Sequence, residues 1–484
     1  MKKLLLVPVL VAALLGLLAA PALASPKTFY VHPSGGNDTK AIQATFNKAV
    51  AAGPGSVVQL SAGHFYVNAI WVKGFNGVFR GTGGLTVIDT PRAHDPSLAA
   101  VNDPSDPAAA HEPFAFLFGF SGGHLGISDM RVDVTANYPA DAYAAGEFTG
   151  LTAVFDDFVV TGSASAAFHH VSFAAGPGDP QGIGCAVDGA ISFQGDVVYD
   201  ENPSDPLYGF PLHVGATGGI DSVSDCSFSG FVGIETTGFT DGTLTVGGSA
   251  AARNTFDDAF GGLQLIESSD STFIVSHNRI ASSEGNAILC DQGWVAFDSG
   301  LTDQLPPLPA PRFLIADNQI SASAAGYSAV VLFDFDTYFD AAPRLNATIV
   351  GNTLALHNAN GLCGIAEFGT RNVLCARNTL SGSASWGIYL GDDYDQNNQP
   401  VTVSGWQVLG NDFSGLAASV APIVLGAGTT HNLVCPTPAG TIDNGVDNWL
   451  LDPLSGSARS VMHAASAAPL VPSKLRVLKE ARPF

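Results

Sequence analysis

Residues 254–256 read Asn-Thr-Phe, and this pattern of Asn, any residue and a large apolar residue returns along the chain. The further copies are Asn278-Arg-Ile280, Asn318-Gln-Ile320, Asn352-Thr-Leu354, Asn378-Thr-Leu380 and Asn411-Asp-Phe413. Neighbouring copies are 24 to 40 residues apart. Self-similarity at such a period is typical of repeat proteins, in which each unit stacks on the next. The pattern therefore predicts a solenoid that spans most of the chain.

Each repeat reads as short strands separated by turns, with about three strands in a coil. Coils of this kind stack about 4.8 Å apart. An Asn that recurs at one turn can hydrogen-bond to the Asn above and below it, and the apolar residue two places later points inward. Cys226 stands where later coils have Asn, and residues 169–176 and 127–134 resemble degenerate copies. We interpret the Asn column as structural and assign it no chemistry.

The first part of the chain predicts one helix, over residues 38–53. Asp38 or Thr39 is suited to cap it and Gly53 to end it. Its apolar stripe consists of Ile42, Phe46, Ala49 and Val50. A strand, a turn and a second strand follow. The helix is expected to cover the open end of the solenoid, which would otherwise expose core.

The chain of 484 residues is expected to form one domain, because a solenoid grows along a single axis. Lys2 and Lys3, an apolar run and the small-residue site ending at Ala24 predict a secretory signal at 1–24. An N-terminal segment with the helix then covers 25–55, the β-helix 56–448 and a C-terminal tail 449–484. The mature protein is expected to be secreted, periplasmic or extracellular, monomeric and without a membrane insertion.

The formal net charge is −23, and no Lys occurs between Lys73 and Lys474. A surface this acidic excludes nucleic acid and anionic lipid as partners. Six Cys are present, and the sequence leaves open whether they pair or remain buried thiols.

Acidic residues end successive apolar runs. When the coils are aligned on their Asn residues, these acids fall near one strand end: Glu267, Asp291, Asp334, Glu367 and Asp392, with Glu235 in the coil before. Stacked like charges repel by about 1 kcal/mol at about 5 Å in water. Three interpretations stand side by side: solvated acids that keep the protein soluble, a catalytic site, or a cation site.

Glycoside hydrolysis usually needs two carboxyl groups, about 5–5.5 Å apart for retention and about 6.5–9.5 Å apart for inversion. Neighbouring and next-but-one coils offer about 4.8 and about 9.6 Å. The predicted catalytic residues are Asp334, Glu367, Asp392 and Asp393. The predicted substrate-binding residues are Asp291, Glu267, Trp386, Tyr389 and Tyr394.

Two stretches, 333–340 and 391–399, are dense in the oxygen ligands that Ca²⁺ takes, but neither has EF-hand spacing. No residue is therefore predicted as a metal ligand. No cofactor is expected to be required, and Ca²⁺ is an open possibility.

The helix-plus-strand unit and the Asn-x-apolar coils resemble the pectin-lyase-like superfamily over most of the mature chain. The resemblance implies an all-β, right-handed parallel β-helix with an N-terminal capping helix. That superfamily contains lyases, glycoside hydrolases, epimerases, adhesins and phage tailspikes. Of the signatures of polygalacturonase-like hydrolases, only the Asp392-Asp393 pair has a counterpart here; Gly-His-Gly and Arg-Ile-Lys do not occur.

The resemblance and the acids together predict a secreted carbohydrate-active protein that hydrolyses glycosidic bonds of a polysaccharide by paired carboxylates. One alternative is a non-catalytic exported binding or surface protein on the same scaffold. A second is a Ca²⁺-assisted polysaccharide lyase. We rank it lower, because the body has no Lys after Lys73 and because Arg279 and Arg377 lie beside ladder Asn residues.

Overall fold

The chain is wound into a parallel β-helix, which confirms the predicted fold class. The computed structural model describes residues 26–67, 70–89, 115–133, 155–162, 165–174, 181–187, 191–199, 212–215, 220–236, 239–240, 242–292, 311–332, 346–364, 372–391, 403–452 and 457–459. Within them, 36 strands form one continuous sheet with three sides, which we call sheets I, II and III. Every pairing between described strands is parallel, except that of Trp449–Asp452 with Ser457–Arg459.

Sheet I opens each coil. Its separate strands are Thr28–Val31, Ser56–Leu60, Gly77–Arg80, Ile191–Gln194, Ile220–Ser224, Thr243–Gly247, Thr272–Ser276, Arg312–Ala316, Asn346–Val350, Val373–Ala376, Gln407–Leu409, Leu433–Cys435 and Trp449–Asp452. Two longer strands bend from sheet I into sheet II: His124–Asp133 and Ser165–Ala174.

Sheet II forms the second side of the coils. Its separate strands are Gly63–Tyr66, Thr86–Asp89, Val197–Tyr199, Arg279–Ser282, Gln319–Ala322 and Thr353–His357. Four strands bend from sheet II into sheet III: Ser227–Thr236, Thr255–Ser269, Thr379–Leu390 and Asp412–Leu425.

Sheet III closes the coils. Its separate strands are Ile70–Lys73, Ala115–Ser121, Phe155–Gly162, Gln181–Val187, Leu212–Gly215, Ile288–Gln292, Ser328–Leu332, Asn360–Gly364 and Ile442–Asp443, with Phe239–Thr240 at its edge. Val403–Ser404 and Thr429–Thr430 form a separate short pair.

The core is built by inward residues that stack on like residues in the next coil. Alternation along each strand sends every second side chain inward. The rings of Phe228 and Phe256, which are register partners, are stacked nearly parallel with their centroids 4.7 Å apart. Phe273 and Phe313 repeat this arrangement at 5.1 Å. Stacking of equivalent residues therefore extends the core along the solenoid axis.

One helix, α1 (Thr39–Ala52), covers the N-terminal end of the solenoid, as predicted. Phe46 is fully buried and its ring meets those of Phe75, Phe79 and Phe120 at 5.0–5.5 Å. The predicted stripe is wrong at Val50, which is 37 % exposed. Thr45 is buried instead, because its hydroxyl donates to the carbonyl of Ala41 at 2.8 Å and so needs no water.

The start of α1 differs in detail from the expected cap. Asp38 occupies the N-cap position, but its carboxylate accepts from the amides of Ser34 and Tyr66. The first helical N–H, that of Thr39, is bound by the side chain of Asn37 at 3.0 Å. Asp38 thus ties the helix to the first coil.

The recurrent Asn residues form the predicted ladder, at the corner between sheets I and II. Their side chains are 0–1 % exposed: Asn254, Asn278, Asn318, Asn352 and Asn378. Each Nδ2 donates to the Oδ1 of the next Asn at 2.9–3.0 Å, as far as Asn411. A second, shorter ladder joins Asn432 and Asn448. The structural interpretation of the Asn column is confirmed.

The residue before most rungs turns the corner in the left-handed backbone region. Asp225, His277, Asp317 and Arg377 have φ between 54° and 61°, and Gly351 and Gly410 do the same at 68° and 58°. This conformation reverses the chain tightly enough to point the following Asn into the corner.

Parallel stacking continues through Trp449–Asp452, slightly beyond the predicted boundary at residue 448. Ser457–Arg459 then folds back on that strand. None of the described helices is long and apolar enough to span a bilayer.

Candidate functional site

Sheet III is flanked on both edges by long stretches of chain. Segments lead from sheet II into sheet III at 90–114, 134–154, 175–180 and 200–211, and from sheet III into sheet I at 293–310, 333–345, 365–371 and 392–402. These segments lie outside the described residues, but the strands that they connect fix where they start and end. Insertions on a rigid solenoid usually carry binding function. The outer surface of sheet III is therefore the candidate site.

The outer surface of sheet III is shielded in its central coils. Pairing places Glu235, Gln264, Leu289, Val331 and Tyr389 in one outward row. Val331 is only 1 % exposed and Gln264 is 6 % exposed, although both point away from the core. This part of sheet III is thus not a flat, open face.

The predicted catalytic residues all belong to the flanking segments. Asp334, Glu367, Asp392 and Asp393 lie outside the described residues, as does Tyr394. Their assignment stays a prediction. The strand that ends at Leu390 leads through the buried Gly391 directly into the Asp392-Asp393 pair.

Glu267 and Asp291 lie on neighbouring strands. The backbone pairs Leu265 with Cys290 and then Ser268 with Gln292, so a bulge places Ile266 and Glu267 opposite Asp291. The two strands are one sheet spacing apart, about 4.8 Å. The side chains of Glu267 and Asp291 are outside the described part, but their backbones have the adjacency that the acid column predicts.

Glu235 does not belong to that column. Its register partner is Gln264, which lies three residues before Glu267. The number of residues from the ladder position does not predict the register of Glu235. Glu235 comes nine residues after Cys226, whereas Glu267 comes thirteen residues after Asn254. One bulge, at Gly230 and Val232, does not absorb that difference.

Trp386 and Tyr389, both predicted to bind substrate, form an aromatic pair on the strand Thr379–Leu390. Their ring centroids are 4.9 Å apart at an interplanar angle of 37°, and both side chains are half-buried. The Trp386 indole N–H is shielded from solvent and has no hydrogen-bond partner in the part of the chain that the structure describes. The Tyr389 ring lies against Gly391, where any Cβ would collide with it. The absence of a side chain at Gly391 thus leaves room for the Tyr389 ring in this position.

Gly391 and Asp196 are two residues whose importance the sequence analysis missed. Gly391 gave no local signal, because its role is a contact with a side chain two places earlier. Asp196 did give one, since Asp196-Val-Val198 follows the ladder pattern with Asp in place of Asn. The structure places Asp196 in the ladder column, two coils before Asn254.

The described strands of sheet III carry no Lys or Arg after Ile70–Lys73. No group of three or more His, Cys, Asp or Glu side chains suited to a metal ion occurs in the described residues. The oxygen-rich stretch 333–340 lies outside them, and so does 391–399 apart from Gly391. Four of the cysteines are free thiols: Cys226, Cys290, Cys375 and Cys435.

Comparison with known proteins finds similarity in structure and not in sequence. No family model matches the chain, and no curated protein matches it either. The catalytic unit of a thermostable GH87 α-1,3-glucanase from Streptomyces thermodiastaticus is 12 % identical, with a TM-score of 0.51 over 90 % of this chain and 71 % of that one.

Two further solved structures have lower scores. PfbA, a surface adhesin of Streptococcus pneumoniae, gives 12 % identity and a TM-score of 0.44 over 84 % of this chain and 93 % of its own. A polygalacturonase from Erwinia carotovora gives 10 % and 0.44 over 81 % and 93 %. The three-sided parallel sheet, the N-terminal helix and the likeness to the glucanase catalytic unit together show that this chain has a right-handed parallel β-helix fold.

Proposed function

We propose that this protein is an exported carbohydrate-active protein that hydrolyses glycosidic bonds of a polysaccharide on the outer surface of sheet III. One observation carries the proposal: the aromatic pair Trp386 and Tyr389 lies on a strand that runs directly into Asp392-Asp393. Two aromatic rings suited to stack on a sugar and two carboxyl groups thus lie within a stretch of eight residues. This stretch belongs to sheet III, the side of the solenoid next to the insertions.

The aromatic pair is suited to hold a sugar ring. The C–H faces of a pyranose are apolar, and an aromatic ring packs against them without losing hydrogen bonds. Among the described residues the Trp386 N–H has no acceptor, and leaving such a donor unpaired costs about 1–3 kcal/mol.

The chemistry follows from crowding of carboxyl groups at the ends of adjacent strands. Glu267 and Asp291 already show that this edge brings acids to neighbouring backbones. When two carboxyl groups share a site, one is held protonated and the other ionised. The protonated group among Asp334, Glu367, Asp392 and Asp393 donates a proton to the leaving oxygen. The ionised one acts as base toward water or as nucleophile.

The test is a set of amide variants: D334N, E367Q, D392N and D393N. Each is assayed on a polysaccharide panel for new reducing ends and for the absorbance of unsaturated uronates, with and without Ca²⁺. Loss of at least about 10³-fold in reducing-end formation in two of the variants, with unchanged circular dichroism, is the expected result. Full activity in all four variants would refute the assignment.

Aromatic variants separate binding from hydrolysis. W386A is expected to weaken glycan binding, whereas W449A, which removes a half-exposed Trp at the far end of the solenoid, is the matched control and is expected to have no effect. Binding that is lost in W386A without cleavage in the wild type would favour the non-catalytic binding protein. Unsaturated products that disappear with a chelator would favour the lyase.

A further inference from the structure

The sides of the solenoid end at different coils. The last strand of sheet II is Asp412–Leu425, whereas sheet I continues for two further coils. Within the described residues, Asp412–Leu425 is paired on its later side only where Val424 and Leu425 meet the sheet III strand Ile442–Asp443. Its sheet II part, residues 412–420, therefore has no strand on that side in the described part of the chain. We call these nine residues the open edge.

The open edge leaves core-facing side chains partly uncovered. In the two preceding coils, the residue two places after the ladder Asn is fully buried, as Leu354 and Leu380 show. Its counterpart in the last coil, Phe413, packs against the same core but is only half-buried, and so is Leu416. Val420 is exposed. The end of sheet II thus lacks the covering layer that the earlier coils have.

The chain that follows the open edge does not supply this layer. Residues 436–441 pass from the end of a sheet I strand directly to Ile442–Asp443 in sheet III. On the way, the N–H of Thr437 donates to the carbonyl of Leu451 at 2.9 Å, and Gly440 lies beside Pro422. This crossing closes the sides that sheets I and III form and bypasses sheet II.

The end of the solenoid that carries the open edge is acidic. Residues 403–452 contain four Asp and no Glu, Lys or Arg. The four are Asp412, Asp443, Asp447 and Asp452. Asp412 begins the open edge and is exposed. A local charge of this sign attracts a basic segment and repels a second copy of the chain, whose formal net charge is −23.

A basic segment with the pattern of a strand follows in the same chain. Residues 460–484, which lie outside the described residues, contain four basic side chains and one acid: Lys474, Arg476, Lys479, Arg482 and Glu480. The run Lys474-Leu475-Arg476-Val477 alternates basic and apolar residues, as a strand with one buried face does. Lys474 comes 15 residues after Arg459, the last described residue. An extended chain of that length reaches about 50 Å, which is ample to cross the end of the solenoid.

We propose that residues 473–479 add a strand to the open edge of sheet II in the same molecule. Leu475 and Val477 complete the layer over Phe413 and Leu416, and the basic side chains between them lie on the outer, acidic side. Main-chain hydrogen bonds hold the added strand, as in other cases of strand addition to a sheet edge. The interaction is independent of the proposed hydrolytic function.

Two effects favour this occupant over a strand from another molecule. The tether keeps the segment at an effective concentration on the order of millimolar, far above that of a second copy in dilute solution. The added strand also ends the sheet with Lys474 and Arg476, and charged side chains of this kind discourage further pairing at an edge. The chain therefore closes its own sheet edge instead of leaving it free for association.

Hydrogen–deuterium exchange at single-residue resolution tests the proposal in the full-length protein. The reporters are the amides of residues 415–420; Ser414 is left out because its N–H already donates to the Asp412 carboxylate at 2.8 Å. Amides along a strand point alternately to its two neighbours, so about half of the reporters depend on the added strand. We expect all reporters to be protected in the wild type. In L475D/V477D, the half that faces the open side should exchange at least about tenfold faster.

Two controls accompany the reporters. The amides of Asn318 and Asn352 donate to ladder Asn residues and should exchange equally slowly in every variant, which shows that the solenoid is intact. The variant A464D/A465D makes the same change in charge in the same tail, outside the proposed strand, and should leave the reporters protected. Equal loss of protection in A464D/A465D would overturn the proposal, because the effect would then be one of charge alone.

Sedimentation at several protein concentrations identifies the molecule that supplies the strand. A monomer at every concentration, with protected reporters, is the expected result. A dimer that L475D/V477D dissociates would overturn the proposal in favour of a second copy. Reporters that exchange at the unprotected rate on the open side of the wild-type protein would also overturn it, whether or not the variants fold.

Discussion

The ladder residues show most directly how one side-chain type holds the coils together. Asn352 accepts from the N–H and Nδ2 of Asn318 and donates to Ile315 and Asn378. An amide can do this because it carries both acceptor and donor on one planar group. The recurrence of Asn could therefore be recognised in the sequence. The roles of Asp196 and Cys226 were harder to read, because neither residue is recognisable as part of the column until backbone pairing sets the register.

Asn352→Ala is predicted to destabilise the protein by at least about 3 kcal/mol, because it leaves several buried polar groups in the adjacent rungs unpaired. Chemical denaturation followed by circular dichroism measures the change. The control is Thr353→Ala, which alters the exposed neighbouring residue and is expected to cost well under about 1 kcal/mol. Equal effects of the two substitutions would contradict the role of the ladder.

Arg377→Gly is predicted to stabilise the protein by about 0.5–1 kcal/mol. Arg377 has φ of 54°, where an L side chain is strained, and Gly351 and Gly410 occupy the equivalent turn in the two neighbouring coils. The melting temperature should rise. The converse variant, Gly351→Ala, should lower it, because its φ is 68°, where an L side chain is strained.

Among the elements, helix α1 was predictable and the edges of sheet III were not. The helix is encoded by local periodicity, so its predicted bounds agree with the observed ones to within one residue at each end. The strands of sheet III could be predicted from apolar runs in the sequence, but the register between neighbouring strands could not. The number of residues between the ladder and the end of the strand varies from coil to coil, nine from Cys226 to Glu235 but thirteen from Asn254 to Glu267, which is why Glu235 was aligned wrongly. Positions of Asp334, Glu367 and Asp392 rest on the same count and remain predictions.

Phe46→Ala in α1 is predicted to destabilise the N-terminal coils by about 3–5 kcal/mol. The ring of Phe46 is fully buried among Phe75, Phe79 and Phe120, and removing it leaves a cavity under the helix. Increased binding of a hydrophobic dye and faster proteolysis near α1 measure the loss of the cap. Val50→Ala, on the more exposed side of the same helix, is the control and should change neither.

Throughout the described coils, equivalent residues of successive coils stack on one another. This stacking is unfavourable for charged residues. Phe, Leu and Asn gain from stacking, since each contact repeats in the next coil. Carboxyl groups do not, because each stacked pair adds repulsion. The backbones of Glu267 and Asp291 lie on neighbouring strands at the edge of sheet III, which is the physical reason for seeking function there.

The charge of the molecule also predicts the class of glycan. The formal net charge is −23, and the described strands of sheet III after Ile70–Lys73 offer no Lys or Arg to pair with a uronate. We therefore predict that a neutral polysaccharide is bound and cleaved at least about tenfold better than a polyuronate of equal length at low salt. The difference should shrink as NaCl is raised from about 0.05 M to about 0.5 M, because salt screens the repulsion. Affinity and reducing-end assays on both polymers at both salt concentrations measure this. Preferential cleavage of the polyuronate at low salt would disprove the charge argument while supporting hydrolysis, whereas cleavage of neither polymer would count against the hydrolytic function itself.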